Sequence, residues 1–236
     1  MKLPFRKKKK KDKPQGKLVV IDGIDGSGKS TQRELLRLEL ELNGFETESI
    51  HFPRHGEPTA YFVDKYLKGK YGDVNPYAAS VFYAVDRFDA SAQIKKWLKA
   101  GKIVLSDRYV TANAGHQGCK ILDTEERMKF FKWLDNLEYG IMGLPKPDLN
   151  IILNIPYLTA HRLLENRKSE ENIIDNIHEK SLTHLRLAQQ VYIQIGKMFP
   201  NTKIVECVEG KNILSPQEIH NKVWDLVRRI ALKDLK

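Results

Sequence analysis

The nine residues Gly23-Ile24-Asp25-Gly26-Ser27-Gly28-Lys29-Ser30-Thr31 have the types and spacing to hold a polyphosphate. The pattern G-x-x-x-x-G-K-[ST] is that of a phosphate-binding loop. Gly26 and Gly28 carry no Cβ, so successive backbone N–H groups can converge on phosphate oxygens. A helix starting near Lys29 aims its positive end at the same point. Lys29 brings a mobile positive charge to the terminal phosphates, and Ser30 offers a hydroxyl to Mg²⁺. Gly23, Asp25, Ser27 and Thr31 complete the loop. It follows the apolar run Leu18-Val19-Val20-Ile21 and precedes the amphipathic stretch Gln32 to Leu42, the strand–loop–helix setting the motif needs. The chain is therefore expected to bind a nucleoside triphosphate.

Four further groups of residues could act on what the loop holds. The run Lys102-Ile103-Val104-Leu105-Ser106 ends on Asp107-Arg108. There the carboxylate can organise Mg²⁺ or hold a hydroxyl, and the guanidinium can neutralise a phosphate. The alternative is a surface ion pair. Arg54, in His51-Phe52-Pro53-Arg54, suits bidentate phosphate binding or is an exposed loop residue. Tyr83 and Arg87 are four apart and share one helix face. They offer a ring to a base and a guanidinium to its phosphate or carbonyl, or else are a core aromatic and a solvated charge. The charged stretch His161 to Glu171 reads as a lid that carries Arg162 or Arg167 to the transferring group and excludes water. A charged surface helix is the competing reading.

The elements that position these residues alternate. Strands are predicted at Lys17–Asp22, Thr47–His51, Ile103–Ser106, Leu149–Leu153 and Lys203–Cys207. Helical patterns lie near 30–43, 57–68, 76–99, 123–139, 157–165, 179–198 and 215–232. Such alternation implies an α/β fold of three layers, a five-stranded parallel sheet with helices on both faces. Ligands of such sheets bind beyond the carboxyl ends of the strands, where these candidate residues fall.

The chain has 236 residues and a net charge of +10, yet residues 1–17 hold eight Lys and one Arg against one Asp, so the remainder is nearly neutral. Residues 1–16 read as a disordered basic tail, with weak electrostatic binding to RNA, membrane or acidic protein as its alternative use, and residues 17–236 as one domain. The tail has no apolar h-region, and no stretch approaches the ~18 apolar residues of a membrane span. Cys119 and Cys207 have no metal-ligand spacing and read as reduced thiols. A cytoplasmic setting is expected.

Taken together, these residues resemble the thymidylate kinase branch of the P-loop nucleoside monophosphate kinases. G-I-D-G-S-G-K-S-T, the F-P-R turn, A-V-D-R-F and D-R-Y-V-T-A-N-A-G-H-Q carry the resemblance, which runs from about Lys17 to the C-terminus. It implies transfer of the ATP γ-phosphate to dTMP, giving dTDP and ADP, with Mg²⁺, in a homodimer. By the same resemblance Asp25 lies near the acceptor 3′-hydroxyl, Arg54 and Arg108 clamp the acceptor phosphate, and Asp107 organises Mg²⁺. Tyr83 stacks on thymine, Arg87 reaches the base carbonyl and Asn113 faces the base. Gly26 stands where one subgroup has a catalytic Arg, so a lid Arg, Arg162 or Arg167 in a lid of about 162–178, takes that part. Adenine recognition is implied near Val208–Lys211. Three positions depart from the family pattern. His116 replaces a Tyr under the deoxyribose, His178 a Glu after the lid, and Asn154 an Asp after the fourth strand.

The rivals are a kinase with another nucleotide or a nucleoside as acceptor, a nucleic-acid-linked ATPase or switch, and an inactive nucleotide-binding relative. Two Arg residues suited to an acceptor phosphate favour a monophosphate acceptor. The nearly neutral body disfavours the nucleic-acid reading.

Overall fold

The computed structural model describes residues 15–171, 182–210 and 212–235, with backbone alone over 167–171. Five strands form a fully parallel sheet. They are β1 (Lys17–Asp22), β2 (Thr47–His51), β3 (Ile103–Asp107), β4 (Leu149–Asn154) and β5 (Thr202–Glu206), in the order β2-β3-β1-β4-β5. The inner strands are buried on both faces, which explains their near-continuous apolar runs. Leu18, Val19, Val20 and Ile21 of β1, and Ile103, Val104 and Leu105 of β3, are all fully buried. The edge strand β2 is only partly covered and reads Thr-Glu-Ser-Ile-His.

Helices cover the sheet. They are α1 (Lys29–Leu42), α2 (Tyr61–Leu67), α3 (Pro76–Lys99), α4 (Val110–His116), α5 (Thr124–Asp135), α6 (Tyr157–Glu171), α7 (Leu182–Met198) and α8 (Pro216–Leu226). The α1/α8 and α4/α7 pairs cover the two sides of the sheet. Local chemistry sets several starts. The Asn75 side chain accepts the Ala78 N–H ahead of Pro76, and Ser215 and Glu218 form a capping box at α8. A hairpin of β6 (Val208–Glu209) and β7 (Asn212–Ile213) follows β5.

Four sequence expectations change. Helix α4 was not anticipated, because small and apolar residues surround it and leave no polar stripe to set a period. It packs close to α7 through Gly115, where a Cβ would come 2.5 Å from the Tyr192 ring. The helix expected to reach 139 ends at Asp135, and Asn136–Ile141 continues as a wider π-turn, closed by the Met142 N–H to the Leu137 carbonyl. The first half of the expected lid is a continuation of α6 to Glu171, while 172–178, including His178, lies outside the described residues. Gly16, assigned to the tail, is already part of the fold. Its N–H donates to the Leu98 carbonyl, and a Cβ there would lie 2.1 Å from the Lys102 oxygen. Residues 1–14 of the tail lie outside the described residues.

Cys119 and Cys207 are buried free thiols. Burial pushes both up to about 12, which keeps them protonated and inert. Among the described residues no helix is long and apolar enough to cross a membrane.

Candidate active site

A cavity of about 620 Å³ opens beyond the carboxyl ends of β1 and β3. Its phosphate end is the loop between β1 and α1. Gly28 has φ 85°, caps α1 without any side-chain hydrogen bond, and leaves a first turn with no acidic residue. The N–H groups of that turn are thus available to an anion. At Gly26 (φ 81°) a Cβ would come 2.3 Å from the Ala160 carbonyl oxygen and 3.0 Å from the Leu164 Cγ. The bare glycine lets α6 close onto the loop, and the position has no room for a side chain. Ser27 Oγ is buried without a partner among the described residues, a hydroxyl that a ligand can satisfy.

Lys29 is buried, and its Nζ donates to the carbonyls of Gly23 at 3.1 Å and Ile24 at 2.8 Å. Burial lowers its pKa, Arg108 adds to that effect, and Asp25 opposes it. Arg108 hydrogen-bonds Asp25 through its guanidinium. Its backbone has φ 65°, uncommon for a bulky residue, and is pinned by donation of its N–H to the Ile21 carbonyl at 2.9 Å. Burial works against the Arg108 charge, and the surrounding acidic groups, Asp25 foremost, outweigh it and raise its pKa. Ser30 and Asp107 both line the cavity, and Asp107 Oδ2 is 4.0 Å from Arg33 Nη1. A hydroxyl and one carboxylate beside a phosphate site fit Mg²⁺, which keeps water and phosphate oxygens as its other ligands.

Asp22, which sequence reasoning passed over, ties this end to the helices. Its carboxylate accepts from the Gly23 N–H at 2.9 Å, the Tyr192 hydroxyl at 2.7 Å and the Thr111 hydroxyl at 2.7 Å. Burial raises its pKa, and the Thr111 and Tyr192 bonds hold against that rise.

The far end of the cavity is lined by α3 and α4, with Glu138 of the π-turn bonded behind them. Tyr83, Arg87, Asn113 and His116 all line it. Tyr83 packs edge-on against Tyr66 at 6.3 Å between centroids, and burial pushes its phenol well up. Arg87 is 1% exposed, which removes the solvated-charge reading. Its Nε and Nη2 donate to the two carboxylate oxygens of Glu138 at 2.6 and 2.7 Å. Asn113 Nδ2 donates to the Ser80 carbonyl and to Glu138 Oε1, both at 3.1 Å. Glu138 is fully buried and was not anticipated. It lies 51 residues from Arg87, and no local pattern joins the two. His116 Nδ1 lies 3.2 Å from His184 Nε2 with the rings stacked. Burial pulls His184 down to about 4, so it is neutral at neutral pH.

Some expected residues stand apart from the cavity. Arg54 does not line it; its guanidinium is engaged by Asp86 at 2.8 Å, Asp89 at 2.7 Å and Thr59 at 2.8 Å. Asp86 and Asp89, which flank Arg87 in the sequence, hold Arg54 against α3. Arg162 is exposed on α6, whose Leu163 and Leu164 do line the cavity. Arg167 lies on α6, and its side chain is outside the described residues. Asn154 links β4 to its neighbours. It donates to Glu206 at 2.8 Å and accepts from Gln189 at 3.1 Å.

Comparison with known proteins shows the family. The thymidylate kinase family model matches residues 21–219. A Thermococcus kodakarensis protein named "Probable thymidylate kinase" is 29% identical over 224 residues, 90% of this chain and 97% of its own length. The thymidylate kinase of Schizosaccharomyces pombe is 27% identical over 221 residues, 93% of this chain and 95% of its own. The solved thymidylate kinase of Candida albicans superposes with a TM-score of 0.67 at 25% identity, covering 91% of this chain and 92% of that one. With the match extending across the sheet, the phosphate loop and both ends of the cavity, this chain belongs to the thymidylate kinase family.

Proposed function

We propose that the protein transfers the γ-phosphate of ATP to dTMP, giving dTDP and ADP. One observation carries this reading: a single cavity joins a phosphate loop at one end to a buried donor and acceptor, Arg87 and Asn113, at the other. Donor phosphates would lie on the loop amides and Lys29. The acceptor would lie with its ring against Tyr83, its base edge on Arg87 and Asn113, and its phosphate near Arg108. Mg²⁺, held by Ser30 and Asp107 through its bound water, would neutralise charge on the donor phosphates. Asp25 orients Arg108 and faces the acceptor sugar. Catalysis is then alignment and charge neutralisation with no covalent enzyme intermediate. Arg54, held by Asp86 and Asp89, supports the acceptor side and reaches a phosphate only by leaving those partners. Arg162 or Arg167 is the lid candidate for the transferring group.

We read the assembly as a homodimer. Helix α3 has two apolar faces, one on the core and one carrying Val81, Val85 and Phe88, all exposed. A second copy of this stripe would cover it. The setting is cytoplasmic, and the basic tail is a solubilising extension.

A second reading, a wider choice of sugar, has its own support in His116, whose small ring leans on His184 where the family pattern has a Tyr. ADP release measured with ATP, Mg²⁺ and a panel of dTMP, dUMP, the ribonucleotide of thymine, dCMP, dGMP, AMP and thymidine separates these. Strong preference for dTMP supports the first reading, and turnover of the ribonucleotide supports the second. No ADP release with any acceptor overturns both.

A further inference from the structure

Glu138 is given no part in the phosphoryl-transfer account, yet it is a fully buried acid bonded to both residues of the base end, Arg87 and Asn113. Its two oxygens receive three N–H groups, from Arg87 Nε, Arg87 Nη2 and Asn113 Nδ2. The Asn113 amide therefore has only one workable orientation. Both groups against its Nδ2, the Glu138 carboxylate and the Ser80 carbonyl, are acceptors. An oxygen turned toward either would meet another oxygen. With the nitrogen so held, Oδ1 is the Asn113 atom left for the cavity, an acceptor. The pairing through Nε and Nη2 likewise leaves Arg87 with Nη1, a donor. A donor beside an acceptor matches the O4 and N3–H of thymine or uracil. It opposes the amino group and bare N3 of cytosine.

We infer that Glu138 sets pyrimidine selectivity, as the positioning residue that fixes the hydrogen-bond polarity of both Arg87 and Asn113; this rests on the base-binding role proposed above. Glu138 follows Phe131 and Leu134 by seven and four residues, so it continues the buried face of α5 into the π-turn. Discrimination by unpaired polar groups is large compared with discrimination by shape. The carboxylate is thus worth more to the choice of base than its distance from the reacting atoms suggests.

The test is kcat/KM for dTMP and for dCMP in the wild type, Glu138→Gln and Glu138→Asp. The Gln amide presents N–H groups to donors, so the Ser80 carbonyl alone is left to hold the Asn113 orientation. The dTMP:dCMP ratio should fall at least tenfold in Glu138→Gln, through a raised KM for dTMP more than a lowered kcat. Glu138→Asp keeps the buried charge and withdraws the oxygen from Asn113. It should lose several-fold, and it decides the matter if the Gln variant does not fold. A merely structural role would lower both acceptors alike and leave the ratio unmoved. A high wild-type ratio that survives in the folded variants overturns the role of Glu138 alone. A wild-type ratio near one overturns the base-binding reading, and Glu138's role with it.

Discussion

At one end of the cavity nine consecutive residues, Gly23 to Thr31, provide the anion-binding turn, the buried ammonium and the hydroxyl. At the other end Arg87, Asn113 and Glu138 come from α3, α4 and the π-turn and are joined by hydrogen bonds through Glu138. The first end is a local structure whose conformation is dictated by its own glycines. The second exists only once three segments have packed. The comparison teaches a division of labour. Damage to the loop should slow every acceptor equally, whereas damage to the buried trio should change which acceptor is preferred.

The largest effect should come at the loop. Lys29→Ala removes the buried charge that faces the donor phosphates, and kcat should fall about 10³-fold for all acceptors alike. Steady-state ADP release with dTMP and dUMP checks this, and a loss confined to one acceptor would blur the division. Gly26→Ala tests whether α6 depends on the loop. The new methyl meets the Ala160 carbonyl, on a backbone of φ 81° that L residues rarely adopt. Stability should drop by roughly 1–3 kcal/mol in urea denaturation, and activity should fall as α6 is pushed away. An unchanged unfolding midpoint would mean that α6 does not rest on Gly26.

The smallest effect concerns pH at the base end. His184 has its pKa lowered from the usual value of 6.5 to about 4 by burial. The unfolded chain takes up this proton more readily than the folded one below pH 6.5. The contribution of the neutral ring is therefore complete above pH 6.5 and is lost as pH falls toward 4. That loss should be at most about 3 kcal/mol. Unfolding midpoints measured from pH 7.5 to 4.5 should show the decline, and His184→Gln should flatten it. Equal slopes in both proteins would remove His184 as the cause.

Legibility in the sequence follows the same division. All five sheet strands fall within a residue of the expected bounds, and the three inner ones are near-continuous apolar runs. The loop and the Asp107-Arg108 pair are likewise contiguous. What escaped is whatever depends on packing between distant segments. Helix α4 has no polar face to betray its period. Asp22 looks like a strand end until Thr111 and Tyr192 are seen to donate to it. Arg54 looks like a free phosphate ligand until Asp86 and Asp89 are found against it. Glu138 sits in a segment that reads as ordinary helix, and its partners Arg87 and Asn113 lie 51 and 25 residues away in the chain.

The most direct test of this division is the ratio of kcat/KM for dTMP to that for dCMP, measured in Lys29→Ala beside Glu138→Gln. The ratio should stay at the wild-type value in the first variant, for all its lost rate, and should fall at least tenfold in the second. A ratio that moves in Lys29→Ala, or that holds in a folded Glu138→Gln, would contradict the separation of rate from choice on which the account rests.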